Sequence, residues 1–210
     1  MNSNPSNTYT SNSRAAKGFE IVGDNPALVD ANFNIPTAEV TRVFGANMDV
    51  PEGTIVMPYT VGTTVGTYTS VAGDLKIVTN GYDEFWGVTL RKVKYFDSKN
   101  NRMDYPETVG YGERVAVATG MFNAVTQNFN VNGQTIQPGA RMYAGVSGMP
   151  TIDDGTLYVG GYGSGRLFAS IMEEGFIEYD VRTGNPKVAA SGGVADEIYI
   201  KAFCDKLGRI

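Results

Sequence analysis

Val71-Ala72-Gly73-Asp74-Leu75-Lys76-Ile77-Val78 sets a glycine turn directly before a run in which apolar and polar side chains alternate. Glycine tolerates the positive φ of a tight turn, and a two-residue period sends every second side chain to one face of a strand. The same device recurs in Val50-Pro51-Glu52-Gly53-Thr54-Ile55-Val56-Met57 and in Tyr111-Gly112-Glu113-Arg114-Val115-Ala116-Val117-Ala118. A fourth copy is Ile136-Gln137-Pro138-Gly139-Ala140-Arg141-Met142-Tyr143. Four such units with strands between them predict a sheet closed, or nearly closed, on itself. Their uneven spacing disfavours a solenoid or propeller.

Between the units lie further candidate strands. These are Phe85–Leu90, Val93–Phe96, Phe122–Thr126, Phe129–Val131 before the Asn132-Gly133 turn signal, Leu157–Val159, Arg166–Ile171, Phe176–Tyr179 and Glu197–Phe203. Short strands broken by turns every eight to twelve residues predict an all-β chain, a β-barrel or jelly-roll-like sandwich. No segment has the pattern of a helix of ten residues or more.

The N-terminal part reads differently. Residues 1–17 are rich in Asn, Ser and Thr and carry too little apolar surface to offset the entropy of ordering them. From Phe19 to Val43 the apolar residues are frequent but irregular. This predicts an extended N-terminal arm over 1–45 with one or two short strands, attached to a body over 46–210. The arm would dock on the body or on a neighbour, with Phe19, Ile21, Val22, Phe33 and Ile35 as its anchors. A first strand and loop of the same core is the competing reading.

Bulk composition narrows the function. The 210 residues are 42% hydrophobic and 19% charged, as in globular chains. The formal charge of −5 lacks the basic footprint of a general nucleic-acid binder. Arg91-Lys92-Val93-Lys94 is the one basic run and reads as a solvated strand face. Cys204 stands alone, so no intrachain disulfide forms, and it reads as a small apolar residue. No apolar run approaches a membrane span, and Met1–Pro5 lacks the features of a signal peptide. A product of the cytoplasm is the expectation, with neither nucleic acid nor membrane as partner.

The chain contains no histidine. That removes Ser-His-Asp and Cys-His catalysis and imidazole-bound zinc. Carboxylates alone can run glycoside hydrolysis, and Asp83/Glu84, Asp153/Asp154 and Glu173/Glu174 are the candidate pairs. Each joins sequence neighbours, whose side chains point apart on a strand. Asp153-Asp154-Gly155 reads as a turn. Gly160-Gly161-Tyr162-Gly163-Ser164-Gly165 lacks the Gly-Lys-Ser/Thr ending of a phosphate loop and reads as a hairpin loop. Tyr82, Phe85 and Trp86 could form a stacking platform, but aromatics on strands more often serve as core or interface anchors. No catalytic, metal or cofactor residues are assigned.

The order Val50–Val56, Asp83–Val88, Tyr111–Val117, Ile136–Tyr143 and Gly165–Ala169 resembles the cement, or decoration, proteins of tailed bacteriophages. The likeness is one of pattern and covers roughly residues 50–203. It implies a barrel-like protein on the outer surface of an icosahedral head, in the virion but made in the host cytoplasm. It further implies a homo-oligomer, dimeric or trimeric, that binds the major capsid protein and stabilises the capsid without enzymatic activity. Alternatives are a tail-tube or head-fibre subunit, and a carbohydrate-binding or carboxylate-dependent hydrolytic domain.

Overall fold

The computed structural model describes residues 18–22, 28–46, 48–94, 108–110, 114–157, 165–176 and 197–204. In chain order the elements begin with β1 (Phe19–Val22), β2 (Leu28–Phe33), helix α1 (Thr37–Phe44) and β3 (Ile55–Pro58). Next come β4 (Thr64–Val65), β5 (Tyr68–Thr69), β6 (Leu75–Ile77), β7 (Gly87–Thr89), β8 (Lys92–Lys94) and β9 (Thr108–Gly110). The series ends with β10 (Val115–Thr126), β11 (Arg141–Ala144), β12 (Pro150–Ile152), β13 (Ala169–Phe176) and β14 (Glu197–Cys204).

The chain is mostly β, and its large antiparallel sheet curls into a half-barrel. The path through that sheet is β12-β11-β13-β14-β10-β7-β3-β6, with β1 and β2 also paired to β10. β10 is therefore the organising strand. Its first part, Val115–Thr119, pairs with β2 and β7, and its second, Gly120–Thr126, pairs with β14 and, from Asn123, with β1. Gly120 stands where the partners change, at φ 86. An L side chain is strained there, so glycine lets one strand serve two differently oriented sheet halves.

Alternation along β10 then separates two cores. Ala118, Phe122 and Ala124 face one core, shared with Ile55, Val88, Met142, Phe168, Ile171 and Ile200 from both halves of the curl. Val115 and Val117 face the other, with Val56, Leu75, Ile77, Val93, Ile35 and Val40. Adjacent residues Ile55 and Val56 thus lie in different cores, so this part of the sheet is buried on both faces. Burying a large side chain such as Phe122 or Phe168 stabilises the fold by about 1.5–3 kcal/mol.

The curl is pinned where the path's ends approach each other. The backbone N–H of Ile55 in β3 donates to the carbonyl of Gly148, in the β11–β12 turn, at 2.7 Å. Gly148 has φ 69, and a Cβ there would lie 2.6 Å from Ile77 Cγ2. Only glycine fits both the conformation and the space.

Residues 19–33 supply two short strands, as expected of this segment, and both pair with β10, so of the two expected docking places they take the chain's own body. Phe19 is 2% exposed and edge-on to Phe122, their centroids 6.2 Å apart. Ile35 is 1% exposed; Ile21 and Phe33 pack against the two cores, and Val22 is half-buried at the end of β1. Phe19 and Ile35 thus give their apolar surface to the chain's own core. Residues 1–17 lie outside the described residues.

Helix α1 follows Pro36 and stops at Gly45, φ 95. Its two turns offer only Val40, Val43 and Phe44 as an apolar stripe, too few to give a sequence signal. The separate strands expected at 115–118 and 122–126 are one continuous β10. Asn132, at φ 51, does form a turn with Gly133, closed by Gln134 N–H to Val131 carbonyl at 2.8 Å. In place of the strand expected over 129–131, only an isolated bridge joins Asn130 to Thr151.

Candidate functional site

Two buried carboxylates, Glu39 and Asp74, lie at the margin of the sheet formed by β6. A strand edge exposes backbone donors and acceptors that invite pairing with another chain. Here Asn34 covers the first part of that edge. Its N–H donates to Gly73 carbonyl (2.8 Å) and its carbonyl accepts from Leu75 N–H (2.7 Å). Helix α1 covers the next part with side chains. Glu39, 1% exposed, accepts the Ile77 N–H at 2.7 Å, and Arg42 donates to the Ile77 carbonyl at 3.2 Å.

Glu39 and Arg42 are themselves joined by two hydrogen bonds of 2.6 and 2.8 Å. The Tyr59 hydroxyl donates a further, very short bond to Glu39. An i,i+3 ion pair on a helix thereby takes the place of a neighbouring strand, matching one donor and one acceptor of β6. Glu39 raises the Arg42 pKa further by bonding it, and burial followed by the Glu39 bond raises that of Tyr59. At the opposite margin, Asn130 covers β12 in the same manner as Asn34. It donates to Pro150 carbonyl (2.8 Å) and accepts from Ile152 N–H (2.9 Å).

Between β3 and β6 the chain makes a hairpin excursion containing β4 and β5. Gly66, φ 59, opens its two-residue loop. Asp74 anchors the base, accepting from Val71 N–H (2.7 Å) and Tyr68 hydroxyl (2.5 Å) on one oxygen. Ser70 accepts from Thr63 N–H (2.9 Å) and donates to Thr60 carbonyl (2.8 Å). The bond to Asp74, then burial, pushes the Tyr68 pKa up to about 12 from an ordinary 10.0. Folding thus favours the protonated phenol. The resulting stabilisation is complete below about pH 10 and is lost as pH rises through about 12. Alkaline unfolding followed by circular dichroism should show this loss, and Tyr68→Phe should flatten the curve in that window.

Of the candidate carboxylate pairs, Asp83/Glu84 and Asp153/Asp154 do not form a reacting set. Asp153 Oδ1 accepts the N–H groups of Gly155 (3.0 Å) and Leu157 (3.3 Å), and Asp154 Oδ1 accepts that of Thr156 (3.0 Å). They are consecutive turn-forming caps, as the sequence indicated. Hydrogen bonds from Thr156 hold Asp154 below the usual carboxylate range, the wrong direction for a general acid. Asp153 also lines a cleft of about 410 Å³ with Gln134, Thr135, Gln137 and Arg141. A glycosidase needs two carboxyl groups flanking the bond it breaks, and among the described residues Asp153 is the one carboxylate on this cleft. Its amides and guanidinium suit hydrogen bonding to a small polar molecule. Asp83 instead faces Lys76 at 4.0 Å, Glu84 is exposed, and the side chains of Glu173 and Glu174 are outside the described set.

The aromatic cluster splits across the sheet. Phe85 packs edge-on to Phe168 (5.8 Å) in one core, Trp86 packs against Phe33 (4.7 Å) beside the other, and Tyr82 is exposed. That arrangement serves the cores and offers no common platform. In the basic run, Arg91 is exposed, Lys92 pairs with Asp49 at 2.8 Å, and Val93 is buried. Cys204 is buried in the first core. The glycine-rich stretch up to Ser164 lies outside the described residues.

Among the described residues, no group of three or more His, Cys, Asp or Glu could hold a metal ion. No described helix is long and apolar enough to cross a membrane. Sequence reasoning missed Glu39, Arg42 and Tyr59. The available signal was Glu39 and Arg42 at i,i+3 beside apolar residues, a spacing common on solvated helices. Comparison with known proteins supplies no identity, for no family model and no curated protein matches this chain.

Proposed function

We propose that this chain is a virion structural protein of the cement type, binding the outer surface of an icosahedral phage head and stabilising it. One observation carries the reading. The five segments that resemble phage decoration proteins lead into or contain β3, β7, β10, β11 and β13, all strands of one curled sheet. The resemblance therefore falls on the framework of the fold and not on scattered loops. The buried carboxylates support it too: Glu39 and Asp74 hold backbone and hydroxyl groups in place, a structural use of charge. On a symmetric shell, many copies of a rigid β module would add modest contacts into strong avidity.

The test uses undecorated shells assembled from the major head protein of the same genome. Added protein should co-sediment at a fixed ratio and raise the temperature at which shells open. Cryo-microscopy should then place it at symmetry-related junctions on the exterior. Protein that stays in the supernatant at micromolar concentration sinks the reading, and density on a tail or head fibre would replace it with another virion role.

A further inference from the structure

We infer that the hairpin excursion between β3 and β6 is the contact through which two copies of this chain associate. The proposal concerns the purified protein and stands whether or not a phage shell is its partner.

The excursion is ordered but faces outward. From Thr60 to Ala72 every residue except Val65, Tyr68 and Ser70 is exposed. A ribbon with two residues per strand is not stable alone. This one is held by its own network at Asp74, Ser70 and Thr63, together with the Gly62 N–H to Ser70 carbonyl and Ser70 N–H to Thr63 carbonyl bonds, both 2.9 Å. It thus presents a preformed surface, and a partner meets little ordering cost on binding it.

That surface is uncharged, and two valines stand out on it among threonines. Val61 is 65% exposed and Val71 57%. No charged residue occurs from Gly53 to Gly73, although the chain carries 17 basic and 22 acidic residues. Charge is what distinguishes the possible occupants. A basic partner would be drawn to the acidic remainder of this molecule, whereas another copy, also at −5, would be repelled there. Two copies approach at least cost through a face that carries no charge. The outer edges of β4 and β5 have no strand partner among the described residues. Their Thr, Val and Tyr content suits strand addition about a two-fold axis.

Analytical ultracentrifugation of the full chain at 10–100 µM tests this by comparing wild type with Val61→Asp and Val71→Asp. Both valines are exposed, so near-ultraviolet dichroism and the thermal midpoint should stay unchanged. The wild type is expected to be a dimer whose association salt does not weaken, because no ion pairs form it and salt screens the repulsion between two acidic copies. Each variant should weaken it by at least about tenfold, through burial of an unpaired carboxylate. A wild type that is monomeric throughout this range overturns the proposal. So does an oligomer whose mass and affinity both folded variants retain.

Discussion

A chain lacking residues 1–45 should fail to fold cooperatively. The truncation deletes β1 and β2, leaving both halves of β10 without a partner on one side. It also removes Phe19, Ile35 and Val40, each almost fully buried. At about 1.5–3 kcal/mol per large buried side chain, their loss alone approaches about 5–9 kcal/mol. Whole domains are typically stable by only about 5–15 kcal/mol. Helix α1 goes as well, uncovering the second core and the edge of β6. The truncated chain should show no sigmoidal thermal transition and should bind a dye that reports exposed apolar surface. A cooperative melt near that of the full chain would mean that these strands contribute nothing to the body.

Glu39→Ala should be the most damaging single substitution at the edge clamp, lowering stability by about 3–4 kcal/mol. It strands the Ile77 N–H and the Tyr59 hydroxyl and leaves Arg42 beside a void. Arg42→Ala should cost less, because its side chain is 39% exposed and water can replace part of what is lost. Glu39→Gln keeps an acceptor for Ile77 and should fall between the two. Guanidinium unfolding is the measurement, with the midpoint moving and the slope unchanged. Equal midpoints for Glu39→Ala and wild type would show that the clamp has no energetic role. A cycle with the double variant should show coupling between the two sites, since they share hydrogen bonds.

The strands legible from sequence were those with a local signature. The turn before Leu75, the Gly53 turn before Ile55, and the alternations at Val115 and Met142 all became strands where the period placed them. β14 was equally plain, because Ile198, Ile200 and Ala202 alternate into one core. β12 was not, since Pro150-Thr151-Ile152 is too short for a period and is a strand only because β11 lies beside it. Whether Phe19 and Ile35 met this chain or another was also beyond a local reading. Irregular apolar spacing reports that a segment will be buried, not which surface buries it. The edge clamp was hidden for a related reason. Glu39, Arg42, Tyr59 and Ile77 are separated by up to 38 residues, and only the completed fold brings them together. The negative reading of Asp153 and Asp154 was accessible because an Asx turn is made by near neighbours.

The central place of β10 has a consequence for how this molecule is made. Its partners extend from residue 19 to residue 204, so the strand cannot be completed until the chain through residue 204 has left the ribosome. During that interval its second half can hold β1 but must wait for β14 on its other flank. Pairings this distant in sequence give slow folding, on the order of milliseconds to seconds. A nascent chain should therefore be most prone to aggregate late in translation, when every strand but the last has emerged.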